Sequence, residues 1–162
     1  MSGSSERTKR SLEALTGDLA SGRLHHALLF QGKNLSALEK GAIHLARKIL
    51  GATEETEEHP DLFHLRPSGK ARLITVESTR ELISNLNRSA SQGENKVALL
   101  HEVDRMRREA ANAFLKTLEE PPHGTFILML TTRPYSLLPT IRSRCLQVRL
   151  EEKFEELEDE EW

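Results

Sequence analysis

The chain has 162 residues, of which 37% are hydrophobic and 30% charged, values typical of a soluble globular domain. No apolar run approaches the roughly 20 residues of a membrane helix, the first ten residues lack an apolar signal core, and the single cysteine excludes an internal disulfide, so a cytoplasmic protein is expected. The last twelve residues hold eight acidic side chains and one lysine, which leaves the preceding 150 with a net charge of +5, too weak a basic surface to indicate nucleic-acid binding by itself.

The first third of the chain predicts a helix, a buried strand and a second helix. Leucines three and four positions apart favour a helix around 12–19, and the compact apolar run 27–30 is typical of a buried strand. Ser36 followed by Glu39 forms a capping box, which predicts that a helix opens there. An apolar stripe that includes Leu38 follows, and Gly51 is expected to end the helix.

The remainder of the chain alternates further strands and helices. Two helices are predicted, one opened by the Ser78–Glu81 capping box and one over 109–118. Short apolar runs predict the strands: 61–65, 73–76, 96–100, 125–130 and 145–150. This alternation predicts a doubly wound α/β domain over residues 1–150, followed by an acidic tail over 151–162.

The segment after the first strand has the length and setting of a P-loop, but not its chemistry. A P-loop reads G-x-x-x-x-G-K-[ST]: its backbone N–H groups surround the phosphates, its lysine neutralises their charge and its hydroxyl holds Mg²⁺. In the segment that begins at Gly32, Ala37 replaces the second glycine, Leu38 the lysine and Glu39 the hydroxyl. A carboxylate about 4 Å from a phosphate charge would repel it by roughly 4 kcal/mol at an effective dielectric constant near 20. Two interpretations stay open here: a degenerate phosphate loop, or simply a capped helix after a strand.

The strand at 96–100 ends in His101-Glu102, where P-loop ATPases usually carry Asp-Glu. In that pair the aspartate orients Mg²⁺ and the glutamate polarises the attacking water. His101 is expected to be an ordinary residue at a strand end, and Glu102 has nothing to act on without bound nucleotide. The sequence therefore predicts a chain that does not hydrolyse ATP and holds no cofactor.

Three stretches of the second half resemble the clamp-loader branch of the AAA+ ATPases. They are VALLHEVDRM at 97–106, ANAFLKTLEEPP at 111–122 and LPTIRSRC at 138–145. The segments 26–32 and 59–61 are similar to the same family, so the resemblance covers roughly residues 25–150. It implies a three-layer P-loop/AAA+-like domain with a central, mostly parallel sheet and helices on both faces.

The resemblance also implies a role in a subunit assembly. The clamp-loader branch contains active motor subunits, called gamma or tau in bacteria, and a nucleotide-inert class, called delta prime, which the two broken motifs of this chain resemble. In the Ser-Arg-Cys motif, Arg144 would reach the γ-phosphate on a neighbouring motor subunit, with Ser143 and Cys145 positioning it. The implied partners are motor and delta subunits and, through the assembly, the sliding clamp and primed DNA, with no membrane. Thr131 and Thr132 stand where the family senses the γ-phosphate, but are expected to be strand-end hydroxyls here.

The sequence departs from that family in two respects. Bacterial relatives usually carry four cysteines that bind zinc, and this chain has none in that region, so no metal site is predicted and His59 and His64 are expected to lie free on the surface. Family members also continue into a lid domain and a collar. The chain is therefore expected to be either a fragment or a short form, and 151–162 either the start of a lid helix or a disordered acidic end.

Two other classes of function remain open from the sequence. One is a small P-loop ATPase or kinase with an unusual phosphate loop, in which Lys33 and Glu102 would take the active roles. The other is a standalone module that binds DNA or a clamp through its mildly basic body.

Overall fold

The computed structural model describes residues 12–53 and 58–150. Its strands form one sheet in the order β2-β3-β4-β1-β5, and every neighbouring pair is parallel. The strands are β1 (Ala27–Gln31), β2 (Leu62–Leu65), β3 (Lys96–Leu100), β4 (Thr125–Thr131) and β5 (Leu146–Arg149). The helices are α1 (12–20), α2 (Leu35–Leu50), α3 (Val76–Leu86), α4 (Arg108–Glu119) and the single turn α5 (Pro139–Arg142).

The sheet separates two apolar cores, one on each face. Leu28 and Phe30 of β1 pack on the side of α1 and α2, whereas Ala27 and Leu29 pack on the side of α3 and α4, because successive side chains of a strand point to opposite faces. Burial on both faces explains why the three inner strands, β1, β3 and β4, are almost continuous apolar runs. The predicted three-layer α/β fold is confirmed, with a sheet that is entirely rather than mostly parallel.

Both predicted capping boxes are wrong, because each helix begins earlier than they indicate. The side chain of Asn34 accepts a hydrogen bond from the Ala37 N–H at 3.2 Å, so Ser36 already lies within the first turn of α2. The hydroxyl of Thr75 likewise accepts from the Ser78 N–H at 3.1 Å and caps α3. Asparagine and threonine cap helices without a partner glutamate, and the short connections select the earlier residue in both cases.

Two of the predicted strands also differ from the structure. The run 73–76 is not a strand: Leu73 and Ile74 form single bridges to Ser68 and Met106, and the chain then turns directly into α3. The final strand is an edge strand in which only Val148 is buried, so it is not the buried strand that was predicted.

The predicted acidic tail, 151–162, lies outside the described residues, as do residues 1–11. In the portion that is described, no helix combines the length and apolar character needed to span a bilayer.

Candidate functional site

The connection between β1 and α2 is too short to form a phosphate loop. Only Gly32 to Asn34 separate the strand from the helix. The Ala37 N–H donates to the Asn34 side chain at 3.2 Å, and the Leu38 N–H donates to the Asn34 carbonyl at 3.1 Å. Backbone N–H groups at this position are the ones that a P-loop directs at phosphate. Here they are already used in starting the helix.

The position of the missing lysine lies inside the protein. Leu38 is fully buried in the apolar core between β1 and α2, and Ala37 is 2% exposed. The residue at the position of the P-loop lysine therefore belongs to the apolar stripe of α2, whereas a phosphate-binding lysine would have to face the nucleotide.

Gly32, the first glycine of the P-loop pattern, is required here by backbone packing. A Cβ at this residue would lie 2.2 Å from the carbonyl oxygen of Leu150, far closer than two such atoms can approach. Leu150 follows β5 and donates its N–H to the Gln31 carbonyl at 2.9 Å. The glycine thus accommodates the chain that passes over the end of β1.

The two positions that would hold Mg²⁺ in an active ATPase are bonded to each other. Glu39 Oε1 lies 3.4 Å from Nδ1 of His101, and His101 Nε2 lies 2.9 Å from Nδ1 of His64. Burial, reinforced by the charges of Arg66 and His64, lowers the pKa of His101 to about 3, so its ring is neutral at physiological pH. His101 is thus a buried strand-end residue with two side-chain partners that the sequence did not indicate.

The histidines predicted to lie free on the surface also have partners. His64 is half-buried and bonds to His101, while Nδ1 of His59 accepts from the Asp61 N–H at 3.0 Å. Within 12–53 and 58–150, no group of three histidine, cysteine or carboxylate side chains is arranged to hold a metal ion.

Glu102, the other half of the broken Asp-Glu pair, is held by arginines. Its Oε2 lies 2.9 Å from Nη2 of Arg72, and its Oε1 lies 3.9 Å from Nε of Arg105. Its backbone adopts φ 48°, a left-handed conformation that is uncommon for a residue other than glycine. The carboxylate is therefore oriented by ion pairs with these two arginines.

The strand-end threonines have separate environments. Thr131 is buried, donates its hydroxyl to Asp104 Oδ1 at 2.6 Å and accepts from the Arg133 N–H at 3.0 Å. Thr132 lines a cavity of about 350 Å³ together with Lys33. Glu102 does not line that cavity, so the structure does not bring Lys33 and Glu102 together in it.

The Ser-Arg-Cys motif lies at the opposite edge of the sheet, where the strands begin. There a groove of about 400 Å³ runs between the end of α4, the start of β1 and the start of β5. Its lining residues are His25, His26, Leu118, Glu119, Ser143, Arg144, Cys145 and Leu146. The phosphate-loop region and the arginine motif are thus separated by the length of the strands.

The side chain of Arg144 is ordered by neighbours on two elements. Its Nε donates to Glu119 Oε1 at 2.5 Å, and its Nη1 donates to the Thr140 carbonyl at 2.7 Å. A third, longer contact of 3.4 Å joins Nη1 to the hydroxyl of Ser143. About a third of the side chain, 32%, remains exposed. Sequence reasoning missed Glu119, and only its place in the Leu-Glu-Glu-Pro-Pro motif could have indicated it.

Cys145 behaves as a structural residue. Its sulfur lies 3.4 Å from the Ile141 carbonyl and 3.5 Å from that of Arg142, so the thiol helps to close the short helix α5. Burial raises the pKa of the thiol to about 11, so it carries no charge that could compete for Arg144.

Comparison with known proteins places these features in a family. The family described as "DNA polymerase III, delta subunit" matches residues 7–154. A DNA polymerase III subunit delta' from Yersinia pestis is 39% identical over 151 residues, which is 81% of this chain and 43% of that protein. A DNA polymerase III subunit tau from Escherichia coli is 36% identical over 155 residues, 86% of this chain and 24% of that protein.

A solved structure gives the same result. The crystal structure of a DNA polymerase III gamma subunit-related protein from Thermotoga maritima superimposes with a TM-score of 0.75 and 30% identity over 92% of this chain and 48% of that one. The chain spans less than half the length of each of these relatives. The predicted resemblance is confirmed, and the chain belongs to the delta prime family of DNA polymerase III subunits, with the α/β fold that clamp-loader subunits share.

Proposed function

We propose that the chain is the AAA+-like domain of a nucleotide-inert clamp-loader subunit in DNA replication. In this role it acts as a stator and supplies Arg144 in trans to the ATP site of a neighbouring motor subunit while the sliding clamp is loaded onto primed DNA. Its direct partners are a gamma or tau motor subunit and the delta subunit, and the assembly works in the cytoplasm. The chain itself is not an enzyme.

The burial of Leu38 is the observation that carries this proposal. A phosphate-binding lysine has to reach solvent, whereas Leu38 is 0% exposed and packs in the core. Replacing it would not rebuild the site, because the nearby N–H groups already bond within the helix cap. The Glu39–His101 contact occupies the two positions that would otherwise bind Mg²⁺.

The finger role of Arg144 is supported by its chemistry and its position. A guanidinium stays charged at any working pH and can grip phosphate oxygens with two parallel N–H bonds. Arg144 lines an open groove at an edge of the domain, and part of its side chain remains accessible to a second subunit.

The test is ATP hydrolysis by a motor subunit assembled with the full-length protein that contains this chain. Arg144→Ala should lower the turnover of the site it completes by about 10³- to 10⁵-fold, the range measured for trans arginine fingers. Arg144→Lys should recover little of this loss, because an ammonium lacks the planar fork.

The matched control is Arg149→Ala, which removes an exposed arginine from β5 and leaves the groove unchanged. It should retain normal turnover. Equal activity of Arg144→Ala and the unsubstituted protein in a correctly assembled complex would refute the finger.

A further inference from the structure

Two of the three guanidinium nitrogens of Arg144 have hydrogen-bond partners among the described residues, and the third has none. Nε is bonded to Glu119, and Nη1 to the Thr140 carbonyl. The remaining nitrogen, Nη2, meets no hydrogen-bond acceptor among the residues that the structure describes. The two N–H groups of Nη2 are therefore available to an anion outside the domain.

Glu119 is itself mounted on a rigid part of the fold. It is the last residue of α4, directly after the fully buried Leu118. The Leu118 carbonyl is bonded to Nε2 of His26 at 3.0 Å, which fixes the end of α4 to the segment before β1. The side chain of Glu119 is 48% exposed, and the bond to Arg144 is the only ion pair it makes within the described residues.

We propose that Glu119 is a positioning residue for the arginine finger, an inference that depends on the proposed function of Arg144. By holding Nε, the carboxylate fixes the last torsions of a long, flexible side chain and directs Nη2 towards the partner's phosphate. An arginine ordered before the encounter loses less conformational freedom when it meets the phosphate. An exposed ion pair of this kind contributes little to folding, so its value to the protein lies in the geometry it imposes.

The experiment compares variants of the full-length protein, each assembled with a purified gamma or tau subunit, by the turnover number and KM for ATP. Glu119→Ala should lower the turnover number roughly three- to thirty-fold, the range set by the rotamer freedom of one arginine, with KM and assembly unchanged. Glu119→Gln keeps an oxygen that can accept from Nε and should retain more activity than Glu119→Ala.

The adjacent Glu120→Ala is the matched control. It removes the same charge from an exposed residue one position further along, whose side chain does not contact Arg144. It should behave like the unsubstituted protein, so that a loss seen only at Glu119 reports geometry rather than net charge.

Four outcomes separate the possibilities. Equal turnover of Glu119→Ala and Glu120→Ala would overturn the inference, as would a rise in turnover, which would instead make Glu119 a latch that restrains the finger. If Arg144→Ala also left turnover unchanged, the finger itself would be refuted. If Arg144→Ala abolished turnover while Glu119→Ala kept the turnover of the unsubstituted protein, only the positioning role would fail.

Discussion

The two edges of the central sheet use their polar groups in opposite ways. At the edge where the strands end, Asn34 caps α2, Glu39 contacts His101, and Glu102 pairs with arginines. At the edge where the strands begin, Arg144 lines an open groove, and its Nη2 has no acceptor among the residues that the structure describes. The polar groups of the first region bond to one another within the domain. The second region leaves the Arg144 side chain partly exposed, as the proposed contact with a neighbouring subunit requires.

This contrast teaches that positions of the P-loop pattern in this chain are used for packing and helix capping. Leu38 belongs to the core, the N–H groups after Asn34 belong to the helix, and Gly32 accommodates Leu150. The sheet and the layer order are retained, and these are what place the arginine motif at the other edge.

The largest expected effect comes from a substitution of the buried Leu38. Leu38→Lys restores the lysine of the P-loop sequence pattern. However, it places an ammonium group in an apolar core and removes a fully buried leucine. We expect the free energy of unfolding to fall by about 3–5 kcal/mol, measured by urea denaturation. The variant should gain no affinity for ATP.

Ser36→Lys is the control for that experiment, because it adds the same charge to an exposed residue of the same helical turn. Its stability should change by no more than about 0.5 kcal/mol. If Leu38→Lys proved as stable as Ser36→Lys and bound ATP, the phosphate loop would be dormant rather than lost.

The sequence predicts the sheet and its cores well because strands buried on both faces have to be apolar along their whole length. It also places Leu38 in the apolar stripe of α2, and the structure confirms that assignment. The burial of the residue at the P-loop lysine position is therefore visible in the sequence, as an apolar helical pattern that extends into the motif.

Contacts between distant elements could not be predicted from the sequence. His64 lies in β2, Glu39 in α2 and His101 directly after β3, and their connection depends on the pairing of β2 with β3. Glu119 and Arg144 are 25 residues apart. Local patterns report periodicity and caps, but carry no information about which strand ends become neighbours.

The predicted helix starts were wrong for a local reason, since Asn34 and Ser36 are both competent caps two residues apart.

A moderate effect is expected from pH at the internally satisfied edge. The pKa of His101 is lowered to about 3 in the folded protein, so the unfolded chain binds its proton more readily. Stability should therefore be complete above about pH 6.5 and fall as the pH drops, by up to about 1.4 kcal/mol per pH unit from this group. The Glu39 carboxylate favours the charged ring and opposes part of this loss.

His101→Gln removes the titration while keeping a polar side chain at the strand end. The difference in unfolding free energy between variant and unsubstituted protein should change with pH between 5 and 7. His44, whose pKa is lowered to about 4, contributes to both proteins equally and cancels in the difference. If the unfolding free energies of His101→Gln and the unsubstituted protein changed with pH in parallel, the pKa of His101 would not be lowered in the folded protein.

The smallest expected effect is the absence of one: calorimetric titration of the chain with ATP and Mg²⁺ should give no heat of binding up to millimolar nucleotide. An active tau subunit under the same conditions supplies the positive control. Binding at micromolar affinity would show that the chain does bind nucleotide, which contradicts the role given to the edge where the strands end. Lys33 and Glu102 would then be the candidate active residues. Lys33→Ala would then have to weaken binding, and Glu102→Gln would have to abolish hydrolysis, for the chain to be an ATPase. Since Glu102 is paired with Arg72 at 2.9 Å and Lys33 lines a cavity that Glu102 does not reach, such an enzyme would first have to rearrange β3 and the loop that follows it.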